Sequence, residues 1–162
     1  MLRFLWGAFA LASGGALLTA IATIFYRFQI FQVILTIAAL LVLVALKFIY
    51  WRSVDSAERT HTMAAATGLG SGVRQWEVPH TSENYIMKEM GFAVARKHAL
   101  KLRGIVFVLL FFTLLALAAC YLTPWFSLVA APAILIAAIV ERWLFFAEAQ
   151  HVVSLFYGAE RA

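Results

Sequence analysis

The chain is short of charge and almost without cysteine. Of its 162 residues, 13% are charged and 64% are hydrophobic. Soluble domains carry about a quarter charged residues and about half apolar ones. A water-soluble fold of this size has too small an interior to bury so much apolar side chain. The bilayer must therefore act as its solvent. The single cysteine, Cys120, lies in an apolar run, which excludes an internal disulfide and any cysteine-based metal site. Equally absent are a Ser-His-Asp set, a pair of carboxylates in a polar segment suited to a soluble cleft, and a metal-spaced group of His or Cys. A hydrolase or metalloenzyme reading has nothing to stand on.

Long uncharged runs are what the chain does have. Phe4 to Tyr26 and Phe28 to Leu46 carry no charge, and neither does Gly104 to Val140. A helix rises 1.5 Å per residue, so about 20 apolar residues cross the hydrocarbon. The first two runs are each one crossing. Only Arg27 and its neighbours separate them, which predicts a tight antiparallel hairpin. The third run is too long for one crossing, and Thr123-Pro124-Trp125 supplies the break, since proline suits the first turn of a new helix. Tyr121 and Trp125 suit the headgroup level. Membrane helices are expected near 4–26, 29–50, 104–122 and 125–147, the last reaching towards Tyr157. The first is expected to be an uncleaved span, because too few apolar residues precede Ala10-Leu11-Ala12 to form a signal-peptide core. Its Ala10, Ser13, Gly14, Gly15 and Ala16 are small enough to let a neighbouring helix approach closely. The predicted fold is an all-α polytopic membrane protein: four transmembrane helices in two antiparallel hairpins, with one polar middle loop.

That loop concentrates the positive charge. Lys47, Arg52, Arg59, Arg74, Lys88, Arg96, Lys97, Lys101 and Arg103 are nine of the 13 Lys and Arg. Positive residues in short loops stay in the cytoplasm, which predicts a cytoplasmic loop and cytoplasmic termini. Gly68-Leu69-Gly70-Ser71-Gly72 has the look of a phosphate loop, but no strand precedes it and no Lys-Ser/Thr follows. Thr81-Ser82 caps an expected juxtamembrane helix over about 83–103. Its basic end, Arg96, Lys97, Lys101 and Arg103, suits anionic lipid headgroups or a docked partner subunit. Nothing beside it is fit to read nucleic-acid bases.

Chemistry-bearing residues gather in the fourth helix. Ionisable residues in a span are costly and mark function by default. Glu141, Glu148 and His151 project from one side of the helix at 100° per residue. A carboxylate and an imidazole on one face are suited to accept and relay protons. Arg142 points about 100° away and is expected to neutralise a buried carboxylate as a structural ion pair. The alternative is that the helix leaves the bilayer near Glu141, so that these groups simply meet water. Haem needs two axial ligands at matched depth on facing helices, and His61, His80, His98 and His151 do not supply them.

Several stretches resemble a known family. They are Thr81-Ser82-Glu83-Asn84-Tyr85-Ile86-Met87-Lys88-Glu89-Met90-Gly91-Phe92 with the following AVARKHALKLR, and ERWLFFAEAQHVVSLFYG from Glu141 to Gly158. Lys47-Phe48-Ile49-Tyr50-Trp51-Arg52 and Ala66-Thr67-Gly68-Leu69-Gly70 extend the likeness. Together they resemble the membrane anchor subunit of dimethyl sulfoxide reductase, over roughly Lys47 to Gly158. Members of that family have about twice as many membrane helices, so the likeness is to a C-terminal half. The resemblance implies an anchor in the bacterial cytoplasmic (inner) membrane that oxidises quinol, either menaquinol or ubiquinol. It also implies partners: an iron–sulfur subunit that receives the electrons and a molybdopterin catalytic subunit. No haem or metal is expected in this chain. The competing expectations are a small membrane scaffold without redox role and a four-helix cytochrome b.

Overall fold

The computed structural model describes residues 2–56, 67–68, 76–77 and 98–148. Four long helices carry nearly all of them: α1 (Leu2–Ile24), α2 (Ile30–Ser56), α3 (Ala99–Ala119) and α4 (Ser127–Glu148). Each is long and apolar enough to cross a membrane. The protein is a multi-pass, all-α membrane protein.

Two short connections set the hairpins. After α1, the Tyr26 amide donates to the Thr23 carbonyl and the Arg27 amide to the Ala22 carbonyl. This pair of bonds is the Schellman closure of a helix, and it needs a left-handed residue between. Tyr26 takes that role with φ 55°. Between α3 and α4, Pro124–Phe126 forms one 3-10 turn with proline at its start. The break falls at the expected proline, because a residue without an amide hydrogen loses nothing in a first turn.

The chain divides into two compact units, Met1–Asp55 with Leu100–Trp143, and Ser56–Ala99 with Leu144–Ala162. In the first, small or branched side chains face inward: Ala8, Ala12, Ala16 and Ala20 of α1, Val33, Leu40 and Leu43 of α2, Val106, Leu110 and Leu117 of α3, and Ala130, Ala133, Ile134 and Ala137 of α4. Other apolar side chains, including Leu11, Phe31, Leu41, Phe111 and Ile136, stand outward. The alanines of α1 and α4 let these helices pack closely, as lipid-solvated helices need, since packing and not hydrophobicity joins them. At Gly15 the approach is closest: a Cβ there would lie 2.6 Å from Thr36 Oγ1 of α2. Of the small residues singled out on α1, Gly15 and Ala16 serve this packing, whereas Gly14 faces open space and Ala10 is exposed. Hydroxyls inside the span are bonded. Thr36 donates to the Gln32 carbonyl at 2.7 Å, and Thr23 Oγ1 lies 2.9 Å from Ser127 Oγ, joining α1 to α4. Within the second unit, Leu144 and Ala147 are buried, and the Phe145 and Phe146 rings meet edge to face.

The helices reach further towards the polar loop than the charge pattern predicts. α2 continues to Ser56, and α3 begins at Ala99. At 27 residues α2 is roughly 40 Å long, about 10 Å more than the hydrocarbon. Lys47, which reads as the rim of the loop, is instead a buried residue of α2. Its charge does not end the span because a partner on α4 neutralises it.

Candidate functional site

The site is built on the loop-side ends of α2, α3 and α4. Lys47, Trp51 and Asp55 follow one another at four-residue intervals along one face of α2. At 1.5 Å per residue, Lys47 lies roughly 12 Å below Asp55 along the helix axis. The Lys47 ammonium donates to Oε1 of Glu141 on α4, and the two side chains are 2% and 1% exposed. A lone lysine at the centre of a membrane helix costs ~2.5–3.5 kcal/mol by insertion scales. Here the opposite charge removes much of that cost. Two aromatic faces add to it: Lys47 Nζ lies 4.7 Å from the centre of the Tyr50 ring and 4.4 Å from that of Trp51. A desolvated ammonium over a ring gains about 2 kcal/mol.

One turn towards the loop, the Trp51 ring meets Phe107 of α3 edge to face at 5.0 Å. The Arg103 guanidinium lies 5.4 Å over the Trp51 ring and donates to both carboxylate oxygens of Asp55 at 2.8 Å. The Asp55 side chain is 60% exposed, so this outer pair marks where the stack meets polar surroundings. The result is a column: an exposed ion pair, an indole, and a buried ion pair.

Two polar atoms in the column have no hydrogen-bond partner although both are buried. They are Glu141 Oε2 and Trp51 Nε1. One is an acceptor and one a donor, and both side chains surround the same ammonium. Native interiors leave few such atoms open, and a ligand or water is the usual reason.

No family model, curated protein or solved structure matches the chain. The site therefore rests on its own geometry. Glu141 lies at its centre. Arg142 does not neutralise it; its guanidinium lies 3.9 Å over the Trp6 ring of α1, and Lys47 holds the place foreseen for it. The cause is the 100° turn between neighbours on a helix, which sends residues 141 and 142 to different faces. Glu148 is half-buried at the end of α4, in the second unit. Lys101 is exposed at the start of α3. Arg103 is not a free docking cation, since it is tied to Asp55 and Trp51. His151, Arg96, Lys97 and the expected loop helix up to 97 lie outside the described residues. His98 is exposed, and no group of three or more His, Cys, Asp or Glu is placed to hold a metal among the described residues. Sequence reasoning missed Lys47 and Trp51. The signal was the apolar Phe48-Ile49-Tyr50-Trp51 after Lys47, which shows that the span does not stop at the lysine.

Proposed function

We propose that this chain is a quinol-oxidising anchor subunit of a dimethyl sulfoxide reductase-like molybdoenzyme, corresponding to the C-terminal half of such an anchor, in the bacterial inner membrane. The observation that carries the reading is the Glu141 carboxylate: buried in a membrane-spanning helix, paired through one oxygen, and open at the other. Quinol is a neutral, lipid-soluble donor that must lose two protons as it loses two electrons. A carboxylate inside the span with an open oxygen suits the first proton. Lys47 orients that carboxylate by donating to its other oxygen. Glu148 and His151 are the onward acceptors in this reading. The electrons leave to an iron–sulfur subunit, and a molybdopterin subunit uses them; the resemblance of the loop and tail blocks supports both partners. The basic residues Arg96, Lys97 and Lys101 serve lipid or partner docking beside them.

The test uses the chain assembled with its iron–sulfur and molybdopterin partners. Glu141→Gln and His151→Gln are assayed with quinol and with an artificial donor that reduces the partner subunits directly. Glu141→Gln is expected to lower the quinol-dependent rate by about 10²-fold or more and to leave the artificial-donor rate unchanged. Equal loss of both rates would mean a defect of assembly, and no loss of either would remove Glu141 from the reaction.

A further inference from the structure

We propose that Trp51 Nε1 and Glu141 Oε2 form a two-point clamp for a single ring hydroxyl of the quinol headgroup, with Trp51 the specificity-determining donor. The inference rests on the quinol reading above and names the binding partner within it. A phenolic hydroxyl is both a donor and an acceptor. One such oxygen carries the complement of both atoms, a hydrogen for Glu141 Oε2 and a lone pair for the Trp51 indole. A carboxylate or an ammonium on the ligand satisfies only one of them. Charge also selects: the Lys47–Glu141 pair is neutral as a whole, so the site favours a neutral ligand over an ion. The surroundings are aromatic: the Tyr50 and Trp51 rings lie against the same ammonium, and Phe107 meets Trp51 edge to face.

Access follows from the column. Both open atoms are shielded, so the headgroup enters only when a neighbouring side chain gives way. The outermost is Arg103, held over Trp51 by a carboxylate that is itself 60% exposed.

The decisive variant is Trp51→Phe, which keeps an aromatic face for Lys47, Phe107 and Arg103 and removes the N–H together with the second ring of the indole. The full chain in lipid nanodiscs is titrated with a short-chain menaquinol and a short-chain ubiquinol, and binding is read by calorimetry. Loss of one buried hydrogen bond costs ~1–1.5 kcal/mol, which is about a tenfold weaker Kd. Wild type is expected to bind at least one quinol, Trp51→Phe to bind it about tenfold more weakly, and both to bind its O-methyl ether poorly. Equal affinity of Trp51→Phe and wild type would overturn the clamp and leave the quinol reading standing; a structural water on the two atoms gives that result. Failure of wild type to bind either quinol would overturn the quinol reading itself. Should Trp51→Phe not fold, infrared difference spectra of the wild-type protein with and without quinol take its place. One indole N–H band must shift on binding, and an unshifted spectrum would overturn the clamp.

Discussion

Removing the charge of Lys47 is expected to destabilise the helix bundle more than removing the charge of Glu141, although the two are partners. Breaking a buried ion pair from one side costs ~3–5 kcal/mol, because the remaining charge loses its counter-ion. The two survivors differ in what they retain. In Glu141→Gln the Lys47 ammonium keeps its places 4.7 Å from the Tyr50 ring centre and 4.4 Å from that of Trp51, worth ~2 kcal/mol together. In Lys47→Met the Glu141 carboxylate loses its ammonium, and its second oxygen has no hydrogen bond to fall back on. Lys47→Met should therefore be worse by about 1–2 kcal/mol. The double variant Lys47→Met/Glu141→Gln leaves no buried charge and should lie within ~2 kcal/mol of wild type. Reversible unfolding in mixed detergent micelles with rising dodecyl sulfate, followed by far-ultraviolet circular dichroism, measures all four proteins. A coupling free energy of several kcal/mol is the expected mark of a direct pair. Additive effects of the two substitutions would refute the buried pair, and a larger loss in Glu141→Gln than in Lys47→Met would refute the aromatic support.

Other expectations are simpler to test. Gly15→Ala should cost ~1–3 kcal/mol by overpacking against Thr36, and Thr36→Ala should restore most of it, both read in the same micelle assay. Tyr26→Gly should stabilise the first hairpin by ~1 kcal/mol, since glycine adopts the left-handed φ that Tyr26 is forced into. Thr23→Val should cost ~0.6 kcal/mol, the typical worth of a hydrogen bond between membrane helices, here the one to Ser127. A single cysteine placed by Glu77→Cys in a Cys120→Ala background should resist an impermeant thiol reagent in intact cells if the basic loop is cytoplasmic; ready labelling would reverse the orientation.

The four spans were legible because membrane helices are written as uncharged runs, and Pro124 marks its own turn. The loop-side end of α2 was not legible. A lysine at the end of an apolar run reads as a boundary unless its counter-charge is known, and that counter-charge lies 94 residues away on α4. Glu141 stood out by itself, because a carboxylate in a span is rare whatever surrounds it. Arg142 was placed about 100° away from Glu141, and Trp6 on α1, over which it lies, carried no signal as its partner. Trp51 carried no sequence signal beyond its type. Its unpaired indole N–H is a property of packing, and only the helices brought together bury it without a partner.

The long sequence separation of Lys47 and Glu141 also sets an order of events during synthesis. α2 leaves the ribosome well before α4, so for that interval Lys47 has no counter-ion. A lysine in this state can reach the headgroups with its long side chain, which holds the nascent helix displaced towards the loop side. Arrival of Glu141 then draws α2 inward to its final depth. A nascent chain arrested between α3 and α4 should show α2 at a shallower depth than the finished protein, measurable by the distance from a reporter site after Arg27 to the membrane surface. The pair at the centre of the site would then act as the latch that ends insertion.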